Sequence, residues 1–412
     1  MDVTVTPSPL SGRVSAIPSK SDAHRLLICA AFADRPTRLR CKGTSEDIEA
    51  TCRCLSALGA KISREGEYIN VVPAKDIPAS PHLDCGESGS TLRFMLPVCA
   101  AVCSDGSFSG HGRLPQRPLS DLTGAMEANG VSFSAPTLPF SLKGRLSPGV
   151  YSLAGNVSSQ YVTGLMLGLS LLNGDSEIVL TTPLESAAYI DITTHALSRF
   201  GAAPERTEKG WRISGRGRFT SPGELEVDGD WSNSAFFLVS GAGLSGLDTR
   251  SPQGDKEILS VLKDLGAKLR ISPDGISADL SALSGTTVDV SGIPDALPIL
   301  SVAAATASGE THFVNAARLR LKESDRLATT AAMLENLGIR AVEHPDGLTV
   351  YGGSFSGGTV DGAGDHRIVM AAAIAATFAS APVTIKGAEA VNKSYPTFFE
   401  DFKSLGGIAN GI

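Results

Sequence analysis

Six times along the chain a helix-forming run stops at a glycine and passes into a short β-type run: CLSALGAKI at Gly59, AMEANGVSF at Gly130, ALSRFGAAP at Gly201, VLKDLGAKL at Gly266, MLENLGIRA at Gly338 and FKSLGGIAN at Gly406. Successive glycines lie 71, 71, 65, 72 and 68 residues apart. A glycine just past a helix accepts the left-handed conformation that closes the last turn, so each marks a helix end. A second series runs at the same period: SKSDAHRLLICAAFA, ESGSTLRFMLPVCAAV, VSSQYVTGLMLGLSLL, DWSNSAFFLVSGAGL, PDALPILSVAAATA and GDHRIVMAAAIAATFA. Its markers are Ser21, Ser90, Ser159, Ser232, Asp295 and Asp365, small polar residues suited to capping the nearly all-apolar helix that follows. A helix apolar on every side must be buried, whereas the helix before each glycine has one polar face. Pieces such as TRLRCKG, SEIVLTT and THFVNAA read as strands, with hairpin-like runs after the glycines. The repeating unit is therefore βαβαββ.

A period near 70 exceeds the roughly 20 to 50 residues of solenoid repeats, whose units do not enclose a helix on all sides. Three units around three buried helices make a domain of about 200 residues, so six make two. The expected division is an N-terminal domain over 13–227 and a second domain formed by 1–12 with 228–412, the strand Asp2 to Thr6 joining the C-terminal half. The whole chain of 412 residues, 42 % hydrophobic and 19 % charged, has ample apolar material for two cores.

The net charge of −7 argues against broad binding to nucleic acid or an anionic membrane. The longest apolar stretch, Ile368 to Ala379, is far short of a membrane span, and the N-terminus lacks the pattern of a signal peptide. Seven cysteines, all between Cys29 and Cys103, form no regular framework and point to a reducing, cytoplasmic setting. No His, Asp or Glu set has metal-ligand spacing, so neither a metal nor a cofactor is expected.

The cations are not spread evenly. Lys20, Arg25, Arg93 and Arg367 fall at the starts of buried helices, and Arg117, Lys322, Arg326 and Lys393 fall in segments that lead into the amphipathic ones. Taken singly, Ser19-Lys20-Ser21 is a cap with a nearby lysine, and Arg320 to Arg326 is a solvated charged face. An arginine in the first turn, as in Asp365-His366-Arg367, opposes the helix dipole and is a poor choice for capping alone. At repeat-equivalent places, with unpaired N–H groups at each helix start, these residues describe a cleft for a small, multiply anionic substrate.

The motifs Pro18-Ser-Lys-Ser-Asp-Ala-His-Arg25, Gly89-Ser-Thr-Leu-Arg93, Leu114-Pro-Gln-Arg-Pro118, Ser158-Ser-Gln160, Tyr189-Ile-Asp-Ile-Thr193, Pro294-Asp295, Leu321-Lys-Glu-Ser-Asp-Arg326, Gly364-Asp-His-Arg367 and Lys393-Ser-Tyr-Pro396 stand in this order. In them the chain resembles the EPSP synthase family of enolpyruvyl transferases over essentially its whole length. The resemblance implies an α/β fold of two inside-out α/β barrel domains, each of three βαβαββ repeats, with the active site in the interdomain cleft. It implies a monomer acting on phosphoenolpyruvate and shikimate 3-phosphate, with no nucleic-acid or membrane partner. Shikimate 3-phosphate would be bound by Lys20, Ser21, Arg25, Ser158, Ser159, Gln160, Ser186, Tyr189, Asp295 and Lys322. Phosphoenolpyruvate would be bound by Lys20, Gly89, Arg117, Gln160, Arg326, Arg367 and Lys393. Lys20, Asp295 and Glu323 would carry the acid and base steps. Gly89 stands where a larger residue would crowd analogues such as glyphosate, so sensitivity is expected.

Two positions depart from the family pattern. Glu87 stands where relatives often have Asn, and an anion there either pairs with a neighbouring cation or weakens phosphoenolpyruvate binding. Arg318 also replaces a frequent Asn, beside the sugar-phosphate contacts. The sister enzymes acting on UDP-N-acetylglucosamine carry Lys-Asn and a reactive loop cysteine. This chain has Lys20-Ser21 and no cysteine from Gly110 to Arg117. An RNA-end-processing relative of similar repeat would call for a wider basic surface and more than the 6 % aromatic residues present.

Overall fold

All six ladder glycines lie at positive φ, from +77° at Gly201 to +101° at Gly266. They follow the helices Glu46–Ala57, Ser120–Glu127, Ala188–Arg199, Ile258–Asp264, Arg326–Asn336 and Phe398–Ser404. After five of them the next N–H reaches back five residues, as from Ala60 to the Leu55 carbonyl and from Ile339 to that of Leu334. This closure satisfies carbonyls that a helix end otherwise leaves open. The computed structural model describes residues 1–411.

The second series forms the helices Lys20–Ala31, Gly89–Val102, Ser159–Leu169, Trp231–Val239, Leu297–Thr306 and His366–Thr377. They are buried almost throughout; every residue from Leu297 to Ala305 is buried. The capping side chains are Ser19, Ser88, Ser158, Asp230 and Asp365. Four of these precede the sequence markers by one or two residues, because the marker itself sits in the first helical turn. Asp295 is not a cap: it belongs to a 3-10 turn, Pro294–Ala296, ahead of its helix.

Each repeat contributes one four-stranded sheet, and all six share an order. In the second, His82–Asp84 pairs in parallel with Asp105–Ser109, which pairs antiparallel with Phe140–Gly144, which pairs antiparallel with Val131–Phe133. The parallel pair demands a crossover, and the buried helix supplies it. Strand burial alternates, as in Phe140–Gly144, so each sheet turns one face to the helices.

The chain forms two units, one of residues 18–228 and one of residues 1–17 with 229 onward, and each has its own hydrophobic core. The boundary differs from the expected one at residues 13–17 and at residue 228. The strand Arg13–Ser15 pairs in parallel with Gly243–Ser245, in the sheet of the fourth repeat. The strand Glu224–Glu226 pairs in parallel with Thr37–Arg40, in the sheet of the first. Each strand thus leads directly into a buried helix of the other unit and serves as first strand of its own. Asp2–Thr6 completes the sixth sheet between Val383–Lys386 and Ile408–Asn410.

Candidate active site

In the unit of residues 18–228 the first turns of two buried helices, Gly89–Val102 and Ser159–Leu169, are tied together. Gln160 accepts from Arg93 Nη1 at 2.9 Å and donates to Ser90 Oγ at 2.9 Å. Arg25, only 2 % exposed, donates through Nε to Thr193 Oγ1 at 2.8 Å, through Nη2 to the Tyr189 carbonyl at 3.0 Å, and through Nη1 to the Ser21 carbonyl. Arg25 therefore holds Ser21 and Tyr189 in place from beneath; burial pushes its pKa down to about 10. Ser186 is a buried non-glycine residue at φ +53°, just before the helix that carries Tyr189. Backbone strain of that kind costs about 1 to 3 kcal/mol and recurs at ligand sites.

Lys20 bonds to Asp47 Oδ2 at 2.9 Å. Sequence reasoning missed Asp47, although it lies in the first turn of the next helix, 27 residues on. The same interval separates Asp295 from Lys322, which bond at 3.2 Å in the other unit with the charges exchanged. At Gly89 a Cβ would lie 2.5 Å from Arg117 Nη1 and 2.6 Å from Arg93 Nη1. Two guanidiniums thus rest against a helix start that is itself positive, an arrangement that favours an anion. Ser158 caps its helix and Ser159 follows it in the first turn.

Glu87 stands one residue before the Ser88 cap, and its carboxylate lies over Gly112, 3.9 Å from His111 Nδ1. It meets the 111–112 segment. Arg318 donates to the Ser291 carbonyl at 3.1 Å.

In the other unit Arg326, 1 % exposed, is gripped by three carboxylates. Its Nε and Nη2 donate to Asp365 at 2.8 and 3.2 Å, its Nη1 to Asp295 at 2.7 Å, and its Nη2 also to Glu323 at 2.7 Å. Burial opposes ionisation of Asp295, yet Lys322, Arg326 and Arg367 outweigh it and hold the carboxyl well below the usual range. Lys393 donates to the Gly364 carbonyl at 2.8 Å.

Arg367 is different. It is 2 % exposed, in the first turn of its buried helix, with Nη2 3.6 Å from Asp295 and its Cζ 5.7 Å from the Phe236 ring. Its Nε and Nη1 are buried and have no hydrogen-bond partner. A buried donor left unmade costs about 1 to 3 kcal/mol, more when charged, so these two nitrogens call for an acceptor. Among the described residues no group of three or more His, Cys, Asp or Glu is placed to hold a metal ion.

The family model for EPSP synthase (3-phosphoshikimate 1-carboxyvinyltransferase) matches residues 5–402. The 3-phosphoshikimate 1-carboxyvinyltransferase of Clostridium kluyveri is 39 % identical over 98 % of this chain and 97 % of its own length. That of Clostridium acetobutylicum is 41 % identical over the same shares. Among solved structures, an EPSP synthase from Acinetobacter baumannii superposes with a TM-score of 0.80 at 26 % identity, covering 99 % of both chains.

Proposed function

The chain belongs to the EPSP synthase family, the 3-phosphoshikimate 1-carboxyvinyltransferases of the shikimate pathway, which move an enolpyruvyl group from phosphoenolpyruvate to shikimate 3-phosphate, and on that premise we propose which residues do the work. The observation that carries the proposal is Arg367, buried with two nitrogens open toward an acceptor. A planar guanidinium suits a planar carboxylate, and Arg367 takes that of phosphoenolpyruvate. Lys20, Arg117, Arg326 and Lys393 supply the remaining positive charge, Gly89 leaves room beside Arg117, and Gln160 touches both substrates. A side chain at Gly89 would displace two guanidiniums, which supports sensitivity to compact phosphoenolpyruvate analogues such as glyphosate. Ser21, Ser158, Ser159, Ser186, Tyr189 and Lys322 hold shikimate 3-phosphate, with Arg25 setting Ser21 and Tyr189.

Asp295, kept ionised by its three cations, suits the base that orients and deprotonates the 5-hydroxyl of shikimate 3-phosphate. Glu323 delivers a proton to the methylene carbon of phosphoenolpyruvate, making C2 electrophilic for that hydroxyl. The tetrahedral adduct then expels phosphate beside Lys20, and loss of the methyl proton restores the vinyl group. The site's fixed charges supply the electrostatic stabilisation.

We take the enzyme to be a monomer that works in the cytoplasm, the latter in keeping with seven buried, unbridged cysteines. No described helix is long and apolar enough to cross a membrane. Phosphate release tests the reading: it should require phosphoenolpyruvate and shikimate 3-phosphate together. Release with UDP-N-acetylglucosamine in place of shikimate 3-phosphate would overturn it.

A further inference from the structure

Arg320 belongs to the charged run that ends at Arg326, and the mechanism leaves it unused. It sits in the 3-10 turn Ala317–Leu321 and spreads its guanidinium over four acceptors. Nη1 donates to Glu343 Oε1 at 2.6 Å and to Asp325 Oδ2 at 3.0 Å, Nη2 to the His344 carbonyl at 2.8 Å, and Nε to the Pro345 carbonyl at 3.3 Å. Three of these acceptors lie at one end of the hairpin formed by Ala341–His344 and Gly347–Tyr351. The same end takes two more bonds through Asp346, whose carbonyl accepts from the Ala316 N–H at 3.2 Å and whose Oδ1 accepts from that of Ala317 at 2.6 Å. The segment is thus fastened at its start and again at Arg320.

The fourth acceptor closes a loop. Asp325 caps the helix Arg326–Asn336, accepting from the Ala328 N–H at 3.2 Å, and its pairing with Arg320 encloses Leu321, Lys322, Glu323 and Ser324. Leu321 is exposed. The other three reach the carboxylates and guanidinium of the Arg326 cluster: Lys322 Nζ bonds to Asp295 at 3.2 Å, Glu323 Oε2 accepts from Arg326 at 2.7 Å, and Ser324 Oγ donates to Asp365 Oδ2 at 2.9 Å. Residues 322–324 lie in neither helix nor strand, so no ladder of backbone bonds fixes their path.

We propose that Arg320 is a positioning residue for the reaction: its one planar fork holds Asp325 and the hairpin end together, fixes the path of residues 321–324, and so sets where the Lys322 ammonium and the Glu323 carboxyl stand. The inference rests on the roles given above to Lys322 and Glu323. The side chains of Arg320, Asp325 and Glu343 are all more than a quarter exposed, so screening keeps their part in overall stability small. Their effect is geometric, and a displacement of about 1 Å at a reacting group can cost on the order of 100-fold in rate. Lysine cannot replace the fork, because an ammonium is a point charge that does not span two carboxylates and two carbonyls at once.

The test is a double-mutant cycle on kcat for phosphate release at saturating substrates, with Arg320→Met placed in wild type and in Glu323→Gln. In wild type the substitution should lower kcat about 10- to 100-fold and raise the shikimate 3-phosphate KM severalfold through Lys322, with a cooperative melt retained. In Glu323→Gln, where no carboxyl remains to be misplaced, it should cost less than about threefold. Arg320→Lys should stay nearer to Arg320→Met than to wild type. Equal losses of kcat in the two backgrounds would overturn the proposal, because Arg320 would then act on the fold and not through Glu323. Full activity in Arg320→Lys would overturn it too, since charge alone would suffice. If Arg320→Met does not melt cooperatively, Arg320→Lys takes its place in the cycle and the same two outcomes decide. An unchanged kcat in Glu323→Gln alone would instead refute the assignment on which the inference rests.

Discussion

Arg326 and Arg367 lie 41 residues apart, both buried and both beside Asp295, and spend their donors differently. Arg326 spends its donors on Asp365, Asp295 and Glu323, whereas Arg367 keeps two nitrogens open. Arg367→Lys keeps the charge and loses the fork. Hydrogen bonds to charged groups contribute about 1.5 to 3 kcal/mol each, so the phosphoenolpyruvate KM should rise about 10- to 100-fold in steady-state assays while that for shikimate 3-phosphate moves little. Asp255, buried in the 3-10 turn Gly254–Glu257, bears on stability. Its carboxyl is raised in the folded chain, so the native state keeps a proton that the unfolded state gives up near pH 4. Stability from this group should therefore fall as pH rises from 4 to about 7, and then level. Thermal melts of Asp255→Asn should lack that part of the decline and give a higher Tm than wild type at pH 8. The cations and caps of the site were legible because they recur at repeat-equivalent positions. Asp47 was not, because a carboxylate in a polar first turn looks like ordinary helix-start chemistry until its partner is seen.

Among the elements, the helices Gly89–Val102 and Ser159–Leu169 approach most closely through glycines. A Cβ at Gly164 would land on the backbone of Arg93, and one at Gly168 would lie 2.7 Å from the Pro97 carbonyl. Pro97, within the first of these helices, meets Gly168 without a side chain between them. That approach aligns Arg93 with Gln160. Gly164→Ala should wedge the helices apart, costing about 1 to 3 kcal/mol of stability as overpacking does. It should also raise the phosphoenolpyruvate KM, because the Arg93–Gln160 bond spans the same gap. Denaturant titration and steady-state kinetics on one preparation would read both effects, and a loss of stability with unchanged KM would count against the coupling. The glycines that end helices were readable from sequence because left-handed backbone leaves a compositional mark. Gly164 was not, since a glycine in an apolar helix says nothing about which neighbour needs the space.

Across the whole molecule, the exchange of first strands makes the two units unequal as fragments. Residues 18–228 contain every strand of three sheets, including Glu224–Glu226, whereas residues 229–412 lack Asp2–Thr6 and Arg13–Ser15. Expressed alone, 18–228 should show a cooperative melt, and a version ending at residue 223 should lose several degrees of Tm or fail to fold. The fragment 229–412 should fold only when a peptide of residues 1–17 is supplied, as followed by circular dichroism. The amino-acid order by itself determined the repeat, its βαβαββ content, two units of three, and the concentration of cations at helix starts. Each of these rests on local patterning: period-3.6 burial, glycine at helix ends, polar caps before apolar runs. Tertiary structure alone decided which sheet takes Arg13–Ser15 and which takes Glu224–Glu226, since three-residue strands with the same alternation fit either edge. It also decided that Arg326 is neutralised while Arg367 stays open, because which buried charges meet depends on packing between segments far apart in the chain.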